Sequence, residues 1–162
     1  MSFKPVVLIY DLNNTLVDEI AAELGATGLY TCINTYNEGN AMDAVRQYNR
    51  LFGLLTNKLS CIITGWNAHK KPRDQFLYRL RAQERSSPLR KSTPVVIVSE
   101  DHRQDLISRA LDPADGAVAM YLHEDSFHEQ LCEVLHQIVF EGKATELNQA
   151  SRETLLNQPE ED

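Results

Sequence analysis

The side chains that could carry chemistry collect where apolar runs stop. Asp11 follows PVVLIY (residues 5–10), Gly65, Trp66 and Asn67 follow CIIT (61–64), and Ser99, Glu100 and Asp101 follow PVVIV (94–98). In an open α/β sheet the carboxyl ends of the strands are where ligands and reacting groups gather. A carboxylate at such a place can act as a nucleophile or help to hold a hard cation, and the second task takes a cluster of oxygen donors. Asp11 brings one carboxylate, Tyr10 before it brings none, and Gly65 has no side chain at all. The expected metal set is therefore none, or Asp11 at most, and no cofactor is expected.

These positions need strands to present them. PVVLIY is apolar throughout, as in a strand buried on both faces of a parallel sheet, and CIITGW and PVVIV read the same way. LYTCINT (29–35) is rich in β-formers and supplies a second strand, and residues 116–121 a fifth. Between them lie helical patterns. Leu16, Ile20, Ala21 and Leu24 recur at helical spacing, with Asn13 or Asn14 as N-cap and Gly25 as stop. A turn at 37–39 leads to a helix carrying Ala41, Val45 and Tyr48. Pro72 opens another over 73–83, residues 103–111 form a fourth, and Ser126 caps a fifth bearing Phe127, Leu131, Val134, Leu135 and Ile138. Five β–α units predict an α/β, flavodoxin-like, doubly wound (βα)5 sandwich with a five-stranded parallel sheet. It should occupy residues 1–141, with 142–162 as an acidic, flexible tail holding at most one helical stretch over 145–156.

The chain has 162 residues, 43% of them hydrophobic, and a formal net charge of -7. It contains no run of 18 apolar residues and nothing shaped like a signal peptide at its start, so the expected location is cytoplasmic and no membrane contact is expected. Cys32, Cys61 and Cys132 sit in apolar segments without metal-ligand spacing and read as buried core thiols. Charge is uneven, because residues 69–91 hold eight Lys/Arg against two acids. Lys70, Lys71, Arg73, Arg79 and Arg81 are the candidate partner-binding residues of that run, for an acidic protein. Without interleaved aromatics or a recognisable motif it does not read as a nucleic-acid surface.

Residues 5–139 resemble a receiver domain, the CheY-like module of two-component response regulators. In that family an acidic pair ends the first strand and holds magnesium, the phosphoacceptor aspartate ends the third and is often followed by Trp-Asn, a Ser or Thr ends the fourth, and a Lys ends the fifth. The matching positions here are Tyr10 and Asp11, then Gly65 before Trp66 and Asn67, then Ser99, then His123. The resemblance implies a signalling module acting through protein partners, and the departures imply one that is not an enzyme and works without phosphorylation. Pairing of two copies through the fifth strand and last helix, with Met120, Phe127 and Leu131, is the expected assembly.

Two narrower likenesses compete. PVVIVSED and GAVAMYLHEDSF are similar to the N-terminal wing domain of ornithine/lysine/arginine decarboxylases, a receiver-like module that serves assembly; this would make the chain a wing alone or a fragment. DLNNTLVD (11–18) resembles the first motif of haloacid-dehalogenase-type hydrolases, DxDGTLVD. That implies Asp11 as nucleophile, Lys71 as the later lysine and Glu100 or Asp101 as the acidic loop, although the family's second aspartate is Asn13 here.

Overall fold

The apolar runs become strands because nothing else can bury both of their faces. In a computed structural model describing residues 4–49, 59–65, 74–86 and 92–158, β1 (Val6–Tyr10), β3 (Leu59–Thr64) and β4 (Val95–Ser99) lie side by side at the centre of a five-stranded parallel sheet. β2 (Thr31–Thr35) and β5 (Met120–His123) flank them, giving the order β2-β1-β3-β4-β5. This is the expected doubly wound sheet.

Alternation along the strands divides the core. Val6, Leu8, Ile62, Val95 and Ile97 face one layer, where α2 (Glu38–Asn49), α3 (Asp74–Arg85) and α4 (Gln104–Leu111) contribute Val45, Phe76, Leu77, Leu80 and Leu106. Val7, Ile9, Cys61, Ile63, Val96 and Val98 face the other, covered by α1 (Asn14–Ala26) and α5 (Leu131–Val139) through Leu16, Val17, Ile20, Leu24, Leu131, Val134 and Leu135. Fully buried side chains such as Phe76 and Phe127 each contribute about 1.5–3 kcal/mol of burial free energy. Asn13 caps α1, its Oδ1 accepting from the Leu16 N–H. The helix runs past Gly25, and the reversal comes at Gly28, whose φ of 70° suits glycine.

Four further expectations change. The turn expected at 37–39 is the start of α2: Asn37 Oδ1 accepts from the Asn40 N–H as the helix begins at Glu38. The fifth strand starts later than 116, because the amides of Gly116, Ala117 and Val118 are spent closing α4 on the carbonyls of Arg109, Asp112 and Ala110. Only Ala119, donating to the Val95 carbonyl, begins the ladder. Gly116 is needed there, since a Cβ would lie 2.6 Å from the Ala110 carbonyl oxygen. Ser126 makes no side-chain cap; a 3₁₀ turn over Phe127–Glu129 intervenes and α5 starts at Leu131.

Fourth, the helical stretch expected over 145–156 forms as α6 (Ala144–Leu156), but it packs along the β5 edge instead of lying in a flexible tail. Ala144 and Leu147 meet the α1/α5 core and Leu155 the opposite one. Asn148 is buried, and its Nδ2 donates to the carbonyls of Leu111 (2.8 Å) and Val118 (2.6 Å). A helix laid over an edge strand shields backbone groups that would otherwise offer a pairing surface.

Candidate functional site

The carboxyl edge of the sheet brings the predicted positions into one row. Tyr10 is in register with Thr64, so Asp11 and Gly65 stand level, one residue beyond the pairing. Thr64 is in register with Ile97, which puts Ser99 slightly further out, and Ser99 pairs with His123. Adjacent strands lie about 4.8 Å apart, so these four positions share one shallow rim.

Their side chains are arranged unevenly. Tyr10 is buried and packs edge-on against Phe76, ring centroids 5.1 Å apart, so it serves the core beneath the rim. Asp11 is buried, and its Oδ1 accepts the Asn13 N–H at 2.8 Å, fixing the entry to α1. Ser99 is fully buried, and its Oγ accepts the Asp101 N–H at 3.1 Å. The loop after β4 is held further by Tyr121 Oη, which donates to the Asp101 carbonyl at 2.6 Å, and by Arg103 Nε on the Asp101 carboxylate. Thr64 Oγ1 is buried and has no hydrogen-bond partner among the described residues. His123 lies at the outer end of the row with its ring stacked, 10° from parallel, on His102. Burial pushes its pKa below the usual 6.5, the neighbouring His102 adds to this, and Asp125 opposes it.

A magnesium ion does not fit the described donors. Tyr10 is turned into the core, Gly65 brings no side-chain oxygen, and one oxygen of Asp11 already accepts an amide. No group of three or more His, Cys, Asp or Glu among the described residues is placed to hold a metal, whereas magnesium takes near-octahedral oxygen coordination. The thiols lie off this rim. Burial drives the Cys61 thiol up to about 12 and raises those of Cys32 and Cys132, which leaves them poor nucleophiles.

Trp66, Asn67, Lys70, Lys71 and Arg73 lie outside the described residues. Of the basic run, Arg79 is exposed and paired with Glu38. Arg81, expected as a surface cation, is instead buried at 3% exposure. It pairs with Glu84 at 2.7 Å and donates to the carbonyls of Thr93, Gly116 and Ala117. Glu84 in turn accepts the Thr93 N–H. The periodicity of α3 carries the missed signal, because Leu77, Leu80, Arg81 and Glu84 share one helical face. The expected pairing surface is corrected as well: Phe127 and Leu131 are core residues, Met120 is half-buried with the Ser151 hydroxyl of α6 on its sulfur, and α6 lies against β5.

No protein-family model matches the chain, and no curated protein matches it. Solved structures do. The chain is similar to a response regulator receiver domain protein from Clostridium thermocellum, at 16% identity and a TM-score of 0.62 over 87% of this chain and 98% of that one. It is similar to the chemotaxis protein CheY4 of Vibrio cholerae, at 15% identity and a TM-score of 0.65 over 84% and 99%. It also matches the RcsB response regulator of Salmonella typhimurium, at 13% identity and 0.65 over 96% and 69%. At these identities the likeness is one of fold, the flavodoxin-like α/β sandwich of CheY-like receiver domains.

Proposed function

We propose that this chain is a phosphorylation-independent signalling or assembly module of the response-regulator receiver type, acting through standing contacts with a protein partner. One observation carries the reading: the rim position level with Asp11 at the end of β3 is Gly65, which has no atom to receive a phosphoryl group. Phosphoryl transfer to a carboxylate needs a nucleophile and a metal held beside it. The described rim supplies one buried carboxylate, already bonded to a backbone amide. A module without that switch presents one surface at all times, and its partner is selected by shape and charge.

The test is intact mass spectrometry before and after incubation with acetyl phosphate and magnesium, alongside turnover of p-nitrophenyl phosphate. The expected result is no mass gain and no turnover. An acid-labile phosphoryl group on Asp11 or Glu100 would overturn the reading, and metal-dependent turnover lost in Asp11→Asn would move the chain to the hydrolases. Gly65→Asp restores a nucleophile but no second metal-binding acid, so it should fold and still phosphorylate poorly.

A further inference from the structure

The rim is not the most developed polar feature of this molecule. At the opposite, amino edge of the sheet, between α6 and the approaches to β4 and β5, lies a cavity of about 250 Å³. Arg81, Thr93, Thr145, Asn148 and Arg152 supply its polar wall, with Pro94, Pro113, Ala117 and Ala119 among the apolar lining. None of the described lining residues is acidic, on a chain whose net charge is -7.

Its two arginines are held differently. Arg81 is neutralised by Glu84 and spends most of its N–H groups on protein carbonyls. Arg152 donates through Nε to Asn148 Oδ1 at 2.9 Å, and its terminal nitrogens have no partner among the described residues. Asn148 uses both Nδ2 hydrogens on the Leu111 and Val118 carbonyls, so its Oδ1 is fixed and fixes Arg152 in turn. A guanidinium oriented in this way, with its outer N–H groups unspent, matches the geometry of a carboxylate or phosphate. The proline and alanine walls give room for a small apolar body behind the anionic group.

We propose that this cavity binds a small organic oxyanion, with Arg152 as its charged contact, Asn148 as the residue that positions Arg152, and the Thr93 and Thr145 hydroxyls as further polar contacts. The site lies on the edge of the sheet away from Asp11 and Gly65 and does not depend on the function proposed for that rim. A ligand here would tie α6 to β4 and β5.

Amide NMR titration of the full chain with inorganic phosphate, glycerol 3-phosphate and benzoate tests this, with benzylamine as the cationic isostere. Saturable shifts confined to Thr93, Ala117, Ala119, Asn148 and Arg152 are expected with at least one anion and none with benzylamine. Whether glycerol 3-phosphate or benzoate binds more tightly assigns the group as phosphate or carboxylate. Arg152→Gln, at a half-buried position, should leave the melting temperature in place and weaken binding about tenfold or more, while Arg152→Lys recovers part of the loss. No saturable shift with any of the three anions overturns the proposal. So does equal response to benzylamine, or an Arg152→Gln protein that binds as well as the original.

Discussion

The two edges of the sheet treat their polar groups in opposite ways. At the carboxyl rim, side chains of Asp11, Asn13, Ser99 and Asp101 make hydrogen bonds that reach two or three residues along the chain; Tyr121 to the Asp101 carbonyl and Thr35 to the Ile9 carbonyl reach further. In the corner under α6, Arg81 reaches Thr93, Gly116 and Ala117, and Asn148 reaches Leu111 and Val118, bonds that span 12 to 37 residues. Short-range bonds shape a loop. Long-range ones join α3, α4, α6 and the starts of β4 and β5 into one unit. In this chain the edge where the fold usually does its chemistry carries several loop-shaping bonds, and the buried ion pair with its fan of long-range bonds has been built at the other end.

That contrast predicts unequal costs. Arg81→Ala should be the most damaging change, because it strands the buried Glu84 carboxylate and removes the donor from three carbonyls. Breaking one partner of a buried pair costs about 3–5 kcal/mol, read as a fall in the urea midpoint. The double replacement Arg81→Met, Glu84→Leu removes both charges and should recover much of the loss. An Arg81→Ala protein within about 1 kcal/mol of the original would erase the distinction between the edges. At the rim, Asn13→Ala removes one N-cap bond to the Leu16 amide and should cost about 1 kcal/mol. A loss as large as that of Arg81→Ala would mean that the rim, too, is held globally.

The same contrast explains what could be read from the residues. The central strands were legible because β1, β3 and β4 are apolar on both faces, and only a covered parallel sheet buries such runs. Asp11, Gly65 and Ser99 followed from strand ends, His123 came only from the receiver resemblance because the fifth strand was expected to stop at 121, and the register aligns all four. The corner was hidden for physical reasons. Arg81 and Glu84 look like surface charges unless α3 is read by face, since burial of a charge depends on a partner that the local sequence does not reveal. α6 has weak apolar spacing because it rides a sheet edge, where Leu147, Leu155 and a buried asparagine suffice. Residues 116–118 look like strand, yet their amides go to the end of α4, a competition between neighbours that periodicity does not register.

The smallest effect should come from His123, at the outer end of the rim, and it asks whether local packing alone sets the charge there. Burial favours its neutral form, a charged His102 stacked beside it would repel a proton, and Asp125 pulls the other way, with the balance below 6.5. Between the folded pKa and 6.5 the unfolded chain holds more of this proton than the folded one. The group's contribution to stability is therefore present above 6.5 and is lost as pH falls through that window. Proton NMR of the imidazole should give a His123 midpoint under 6.5. In His102→Ala the midpoint should rise without fully regaining 6.5, because burial is the larger cause. A midpoint at or above 6.5 in the original protein, or one that stays put when His102 is removed, would show that the two rings do not act on one another in solution and that the rim is looser than its short-range bonds imply.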